Sequence, residues 1–334
     1  MDAAMELSLP VAAQPSLDDV VSLAVDAEAA GYERVWLPET WGRDAVTMLS
    51  LAAERTETVE LGTSIVNVYS RSPALLGQTA ATLQEASDGR FRLGIGPSGP
   101  AVIENWHGQP FTQPLRQTRE TVEIIKQVLS GEPVEYAGDH FDLSGFRLRC
   151  DAPEPAPPVD AAGMGPKAVE LAGRFADGWH ALTFTPDGMC ERLADLRRGA
   201  EMGDRDPENV RVTLSLPCCA LEDAEQARSL ARQHLAFYIG GMGTFYRDAL
   251  ARQGHADTAE QIYDAWQAGE RGTAVAAIDP LLDDLAAVGS PEHARERLAA
   301  FGDIDGVDAV SVSFPRGADA EEIETTMAAL APDA

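Results

Sequence analysis

The sequence predicts an α/β protein with the (β/α)8 architecture of a TIM barrel. Short apolar segments alternate with amphipathic helical segments along the whole chain, a pattern typical of parallel βαβ units. Eight strands can be counted, and 334 residues suit one barrel that forms a single domain, 1–334. An open doubly wound sheet is the other closure of such units, but no G-x-G-x-x-G motif follows the first strand.

Each strand and helix is predicted from hydrophobic periodicity and from residues that begin or end a helix. The strands are expected at 6–10, 33–38, 59–66, 90–96, 157–163, 177–184, 210–221 and 307–314. The helices are expected at 16–31, 44–56, 73–87, 117–131, 165–176, 187–202, 290–302 and 318–330. Ser16 and Ser290 are candidate N-caps, Gly31 can end the first helix, and Pro73 and Pro291 suit first-turn positions.

Two segments do not fit a simple strand–helix repeat, and we interpret them as insertions. Residues 132–150 alternate around Gly138 as a hairpin does. Residues 223–287 are helical and too long for one connection between a strand and a helix.

The charge balance limits the partners of this chain. It has 26 Lys and Arg against 54 Asp and Glu, a formal net charge of −28, and the acidic residues are spread over its length. Such acidity is known from halophilic proteins, and it favours a haloarchaeal source; an acidic mesophilic protein is the alternative. A broad basic surface for nucleic acid or for anionic membrane is not expected. The N-terminus lacks the features of a signal peptide, and no run of about 18 apolar residues appears, so we expect a cytoplasmic location.

Cysteines and histidines do not indicate a metal site. The four cysteines form no C-x-x-C pair and have no metal-ligand spacing with histidine. Cys218 and Cys219 are adjacent in a predicted strand, which would point them to opposite faces. We expect them to be free thiols of the core.

Polar and aromatic residues and a glycine- and proline-containing loop follow the predicted strands, where the active site of an α/β barrel lies. They are Glu39, Thr40 and Trp41 after the second strand, Asn67, Tyr69, Ser70 and Arg71 after the third, Ser98, Asn105, Trp106 and His107 after the fourth, Gly163, Gly165, Pro166 and Lys167 after the fifth, and His180 in the sixth. The sequence therefore predicts one functional rim at the mouth of the barrel.

Several of these residues have more than one interpretation from the residues alone. Glu39 can be a general acid, a hydrogen-bonding group or a solvated loop carboxylate. His107 and His180 can transfer protons, or can be a surface histidine and a core histidine respectively. Trp41 and Trp106 can form walls for a planar ligand or contribute to packing only.

Two glycine loops indicate close contact with a ligand. LGIGPSGP and AAGMGPK place glycine where backbone must approach a neighbour closely or turn tightly. AAGMGPK leads into a helix N-terminus, which favours phosphate, and Lys167 adds a positive charge. Ordinary strand–helix turns would have the same composition.

Three segments resemble the luciferase-like monooxygenase superfamily. They are LGTSIVNVYSRSPALLGQTAATLQEASDGRFRLGIG (61–96), AAGMGPKAVELAGRFADGW (161–179) and GYERVWLPET (31–40). Within it, the chain resembles the branch that uses the deazaflavin coenzyme F420 and includes methylenetetrahydromethanopterin reductase. The resemblance implies a luciferase-like barrel with an insertion near the seventh strand, a cis peptide at Ser64–Ile65 beneath the cofactor ring, and a homodimer or higher homo-oligomer.

The resemblance also implies roles for individual residues. Glu39, Thr40 and Asn67 are the implied catalytic residues. Glu-Thr stands here where the family commonly has Asp-His, so this chain has no histidine at that position. The implied cofactor-binding residues are Ser64, Ile65, Asn67, Gly96, Ser98, Asn105, Ala161, Ala162, Gly163, Gly165, Pro166 and Lys167. The implied substrate pocket is Trp41, Tyr69, Arg71, Trp106, His107 and His180.

The expected function is hydride transfer between coenzyme F420 and a small organic substrate, with a methylene-tetrahydropterin or folate as one candidate. The same fold also holds FMN, so an FMN-dependent monooxygenase is the first alternative. A flavin-binding barrel without turnover is the second.

Overall fold

The computed structural model describes residues 3–332, which form twelve strands and fourteen α-helices. The strands are β1 (Ala4–Ser8), β2 (Arg34–Leu37), β3 (Glu60–Thr63), β4 (Val66–Asn67), β5 (Phe91–Gly96), β6 (Val134–Ala137), β7 (Asp142–Phe146), β8 (Val159–Ala162), β9 (Gly178–Leu182), β10 (Arg211–Ala220), β11 (Ala287–Gly289) and β12 (Ala309–Ser313). The helices are α1 (Leu17–Ala29), α2 (Ala45–Arg55), α3 (Pro73–Ala86), α4 (Pro100–Asn105), α5 (Pro114–Leu129), α6 (Pro166–Phe175), α7 (Pro186–Met202), α8 (Ala224–Gly241), α9 (Phe245–Leu250), α10 (Ala256–Gln267), α11 (Arg271–Ala276), α12 (Leu282–Leu285), α13 (Pro291–Gly302) and α14 (Ala320–Ala329).

Eight parallel strands close into the predicted barrel. Around the barrel the order is β1, β2, β3, β5, β8, β9, β10 and β12, and β12 pairs again with β1. The main apolar core lies between these strands and the surrounding helices, with Trp179, Phe184 and Phe301 among its largest buried side chains. The predicted (β/α)8 fold is confirmed.

Most predicted helices are present, with small differences at their ends. The Ser16 side chain caps α1 and the Ser290 side chain caps α13, as expected. α5 begins at Pro114, three residues before the predicted start, because proline suits the first turn. α4 was not predicted, since its six residues form fewer than two helical turns, too few to show a periodic pattern; Val102 and Ile103 are its buried residues.

Two strand predictions differ from the structure. The first strand is Ala4–Ser8 and not 6–10, because Pro10 has no N–H to donate to a neighbouring strand. The third predicted strand, 59–66, is divided into β3 and β4, and the peptide between Ser64 and Ile65 lies in the gap.

Both insertions are present. β6 and β7 form an antiparallel hairpin, and the Gly138 N–H donates to the Phe141 carbonyl in its turn, which confirms the predicted hairpin. The segment 223–287 contains helices α8 to α12 and a separate apolar cluster. It also includes a π-helical turn, Ala251–His255, and leads into β11, which pairs with β10; neither was predicted.

The interior of the barrel is partly polar, which the sequence did not predict. The buried Glu6 carboxylate accepts hydrogen bonds from Arg34, from Trp36 Nε1 at 2.6 Å and from Arg211 at 2.8 Å. Cys218 and Cys219 are buried free thiols, as expected. No helix within residues 3–332 is both long and apolar enough to cross a membrane.

Candidate active site

The C-terminal ends of four neighbouring strand segments meet at the mouth of the barrel, as the sequence predicted. The Glu39 N–H, just after β2, lies 3.3 Å from the Ile65 carbonyl, to which it donates. The Val68 N–H, just after β4, donates to the carbonyl of Gly96 at the end of β5. β5 in turn pairs with β8.

The floor of this mouth is built from Ile65, Gly96 and Ala162, next to the break between β3 and β4. The Ser64–Ile65 peptide is cis, as the resemblance implied. A Cβ atom placed on Gly96 would lie 3.2 Å from the Ala162 Cβ and 3.4 Å from Ile65 Cγ1. Ile65, Gly96 and Ala162 therefore lie side by side, and a larger residue at position 96 would displace its neighbours.

Asn67 organises the polar end of this strand. Its side-chain oxygen accepts the N–H groups of Tyr69 at 3.0 Å and Ser70 at 2.7 Å, and this Asx turn directs the chain out of the barrel. Its amide nitrogen lies 3.3 Å from His107 Nε2. Asn67 is buried, and it holds His107 at the rim of the mouth.

Glu39 and Arg71 form a bidentate ion pair beside the floor. The distances are 2.5 Å from Arg71 Nη1 to Glu39 Oε1 and 2.9 Å from Nη2 to Oε2. Glu39 Oε2 also accepts the N–H of Ala45 at the start of α2. The hydrogen bond to Glu39 raises the pKa of the Arg71 guanidinium. Since both oxygens of Glu39 already accept N–H groups, this geometry favours a hydrogen-bonding role for Glu39 over a general-acid role.

Three aromatic rings form a row that begins at Tyr69 of the Asx turn. The Tyr69 ring lies 5.6 Å from Phe111, and Phe111 lies 5.9 Å from Phe245 of the helical insertion. The Tyr69 hydroxyl donates to the Thr112 carbonyl at 3.1 Å, and burial raises its pKa to about 12. Trp41 and Trp106 are 53% and 64% exposed, so neither is a core residue. Sequence reasoning missed Phe111 and Phe245.

The N-terminus of α6 opens next to the floor. Gly165 is its N-cap and provides no side-chain cap, and Pro166 at the first position has no N–H. The Ala168 N–H donates to the Gly165 carbonyl at 2.9 Å, so the Lys167 N–H is the donor of the first turn that is left for another acceptor. A Cβ atom placed on Gly165 would lie 4.0 Å from Nη2 of Arg252, which belongs to the π-helical turn of the insertion. Sequence reasoning missed Arg252 because it lies far along the chain in a segment without a recognisable motif.

Other predicted residues lie at the periphery of the mouth. The Lys167 side chain is 75% exposed, and its ammonium binds Glu170 at 2.6 Å on the same helix. Thr40 and Asn105 are exposed, and Ser98 has a left-handed backbone with φ 59°.

His180 does not lie at the rim with Trp41, Trp106 and His107. It is 4% exposed inside the barrel, with its ring centroid 4.4 Å from that of Trp36. The position of His180 therefore agrees with its interpretation as a core histidine. It lies beneath the floor and not in an open pocket.

This arrangement can hold a flat ring over the floor of Ile65, Gly96 and Ala162, with a polar rim on one side and a helix N-terminus for an anionic group. No cluster of metal-ligating side chains was found among residues 3–332.

Comparison with known proteins identifies the relatives of this chain. The profile of the family described as "Luciferase-like monooxygenase" matches residues 4–307. The chain is 33% identical over 328 residues to a Mycobacterium tuberculosis protein provisionally named as a coenzyme F420-dependent oxidoreductase, covering 90% of this chain and 93% of the relative. It is 30% identical over 301 residues to 5,10-methylenetetrahydromethanopterin reductase of Methanolobus tindarius, covering 89% and 90% of the two chains.

Solved structures show the same fold. The coenzyme F420-dependent tetrahydromethanopterin reductase of Methanopyrus kandleri superposes with a TM-score of 0.85 at 24% identity, covering 99% of this chain and 98% of that one. An FMN complex of a Pseudomonas putida monooxygenase superposes with a TM-score of 0.73 at 18% identity, covering 100% and 98%.

Proposed function

We propose that this chain, which belongs to the luciferase-like monooxygenase family, is an oxidoreductase that transfers a hydride between coenzyme F420 and a small organic substrate. The observation that carries the proposal is the floor of Ile65, Gly96 and Ala162 next to the uncapped N-terminus of α6. A flat ring and an anionic tail fit these two features together. The relatives named for coenzyme F420 support this cofactor over FMN.

The bound coenzyme supplies hydride chemistry at the carbon that replaces the flavin nitrogen at position five, and the protein supplies binding and orientation. Ser64, Ile65, Gly96, Ala161 and Ala162 would support the ring.

The anionic tail would lie at the start of α6, near Gly163, Gly165, Pro166 and Lys167. The helix dipole and the free Lys167 N–H favour negative charge there, and the Arg252 guanidinium lies beside Gly165. Ser98 and Asn105 would contact the cofactor from the loop and short helix that follow β5.

The rim would bind the substrate above the floor. Asn67 would hold His107 toward the substrate, and the Glu39–Arg71 pair would place a polar group without net charge at the mouth. Tyr69, with Trp41 and Trp106, would cover a planar substrate from the sides. A methylene-tetrahydropterin or folate is our first candidate, because relatives are named as reductases of such a carrier.

Turnover without oxygen tests this proposal. Reduced coenzyme F420 would be mixed anaerobically with the protein and with methylene-tetrahydrofolate or simple ketones, and oxidised coenzyme with secondary alcohols, while cofactor fluorescence is followed. We expect a substrate-dependent change in fluorescence. Oxygen uptake with reduced FMN, and no reaction of coenzyme F420 with any substrate, would favour the monooxygenase alternative.

Two properties of the whole molecule complete the proposal. A net charge of −28 supports a halophilic protein, and the family resemblance supports a homodimer. Size-exclusion chromatography with light scattering, over a series of KCl concentrations, tests both: we expect a dimer in molar KCl and loss of the folded state at low salt.

A further inference from the structure

Beneath the floor, three side chains connect the barrel interior to the cis peptide. Ser64 Oγ lies 3.3 Å from His180 Nδ1, and His180 Nε2 lies 3.2 Å from Asp160 Oδ2. Arg92 Nε donates to the same Asp160 oxygen at 2.7 Å. Asp160 and His180 are buried, whereas Ser64 is partly exposed at the mouth.

Two glycines provide the space for this chain of contacts. A Cβ atom on Gly94 would lie 2.9 Å from His180 Nε2 and 2.0 Å from the Thr63 carbonyl oxygen. A Cβ atom on Gly178 would lie 2.5 Å from Asp160 Oδ1. Neighbouring strands therefore leave room for a histidine and a carboxylate at this depth of the barrel.

His180 Nε2 and Asp160 Oδ2 are in close contact but do not have hydrogen-bond angles, so the charge of Asp160 is what decides which ring nitrogen carries the proton. Burial alone would raise the pKa of Asp160, but the Arg92 guanidinium and the neighbouring His180 hold the pKa below its ordinary value, so the carboxylate stays ionised and can only accept. The His180 nitrogen that faces it then carries the ring proton. In a neutral imidazole the other nitrogen, Nδ1, is an acceptor, and it takes the Ser64 hydroxyl hydrogen.

We propose that Asp160, His180 and Ser64 form a relay that fixes the Ser64 hydroxyl as a hydrogen-bond acceptor at the floor of the cofactor site. Its link to the cofactor rests on the proposed function. Ser64 is the residue that contacts the ligand, and His180 and Asp160 are positioning residues. With its hydrogen turned inward to His180, the Ser64 oxygen presents its lone pairs to a donor on the bound ring.

The first test uses the protein without cofactor. Nitrogen-15 NMR of labelled histidine reports which ring nitrogen carries the proton, and His293, which lies 3.5 Å from Asp283 at the surface, is an internal control. We expect neutral His180 to be protonated at Nε2, and Ser64→Ala to shift its Nδ1 resonance while His293 is unchanged. Protonation at Nδ1, or no shift in Ser64→Ala, would overturn the relay.

The second test measures cofactor binding by fluorescence titration of coenzyme F420. We expect Ser64→Ala and His180→Phe each to weaken binding about threefold to tenfold, the size of one hydrogen bond. The affinity of the double variant should be no lower than that of the single variant that binds more weakly. Losses that multiply in the double variant would show that the two residues act separately. If the native protein does not bind coenzyme F420, the proposed function fails, and the NMR comparison decides the relay alone.

Discussion

The ion pair between Glu39 and Arg71 predicts a measurable coupling between two rim residues. Glu39 is 9% exposed and Arg71 is 19% exposed at the side chain. Arg71→Met leaves the carboxylate nearly buried, with the Ala45 N–H as its hydrogen-bond donor among the described residues. Breaking a fully buried pair costs about 3–5 kcal/mol, and partial access to water lowers our expectation to about 2–3 kcal/mol.

The partner substitution and the double variant complete the cycle. Glu39→Gln keeps an oxygen for Ala45 but loses the charge, and we expect it to lower the free energy of unfolding by about 1–2 kcal/mol. Once one partner is absent, the second substitution costs less, so the double variant should show a coupling energy of about 1–2 kcal/mol. Urea unfolding of the four proteins in molar KCl measures each value.

An exposed pair serves as the matched control. Arg55 Nη1 lies 2.6 Å from Asp18 Oδ1, but the two side chains are 46% and 69% exposed. The cycle of Arg55→Met and Asp18→Asn should give a coupling of about 0.5 kcal/mol or less, further reduced by salt. Additivity within about 0.5 kcal/mol at Glu39 and Arg71 would refute the reasoning.

Three more predictions concern packing, pH and binding. Gly94→Ala should lower the free energy of unfolding by about 3 kcal/mol, because the new Cβ atom would lie 2.0 Å from a backbone carbonyl oxygen. Gly42→Ala, whose Cβ atom would have nothing within 4 Å, should change it by less than about 1 kcal/mol in the same urea titration. Equal losses in the two variants would contradict the packing argument. Burial would raise the pKa of Glu28, but three backbone N–H groups that donate to its carboxylate lower the pKa to about 2. The stabilisation of the fold by the ionised Glu28 is therefore present above pH 4.5 and is lost toward pH 2. Glu28→Gln should therefore lower stability at pH 7 by about 1 kcal/mol after allowance for solvent exposure, and a difference in melting temperature that persists at pH 2 would be inconsistent with this cause. Arg252→Ala should weaken coenzyme F420 binding roughly tenfold in a fluorescence titration. Arg197 contacts Asp305, and Arg197→Ala should leave the binding unchanged. Equal affinities of the two variants would exclude the assigned role of Arg252.

The sequence predicted the barrel well because its fold depends on local patterns. Alternating strands and helices, serine caps and first-turn prolines are each visible within a few residues. The hairpin around Gly138 was also local. The break in the third strand could be placed at Ser64–Ile65 only through the family resemblance, since the apolar and small residues of LGTSIVNV also fit one continuous strand.

The site was predicted in position but not in its internal contacts. The rim residues could be found because strand ends of a barrel converge. The pairing of Glu39 with Arg71 depends on where two loops meet, and the sequence gives no measure of that. Arg252 and Phe245 reach the site from the insertion, and His180 lies inside because neighbouring glycines leave space for it; these are properties of packing between distant segments.

Binding of coenzyme F420 tests the central claim most directly. The purified protein in molar KCl would be titrated in parallel with coenzyme F420 and with FMN, and the fluorescence of each cofactor gives its dissociation constant. We predict micromolar or tighter binding of coenzyme F420 and no comparable binding of FMN. Preferential binding of FMN would contradict the account and would point to oxygen-dependent flavin chemistry at the same floor.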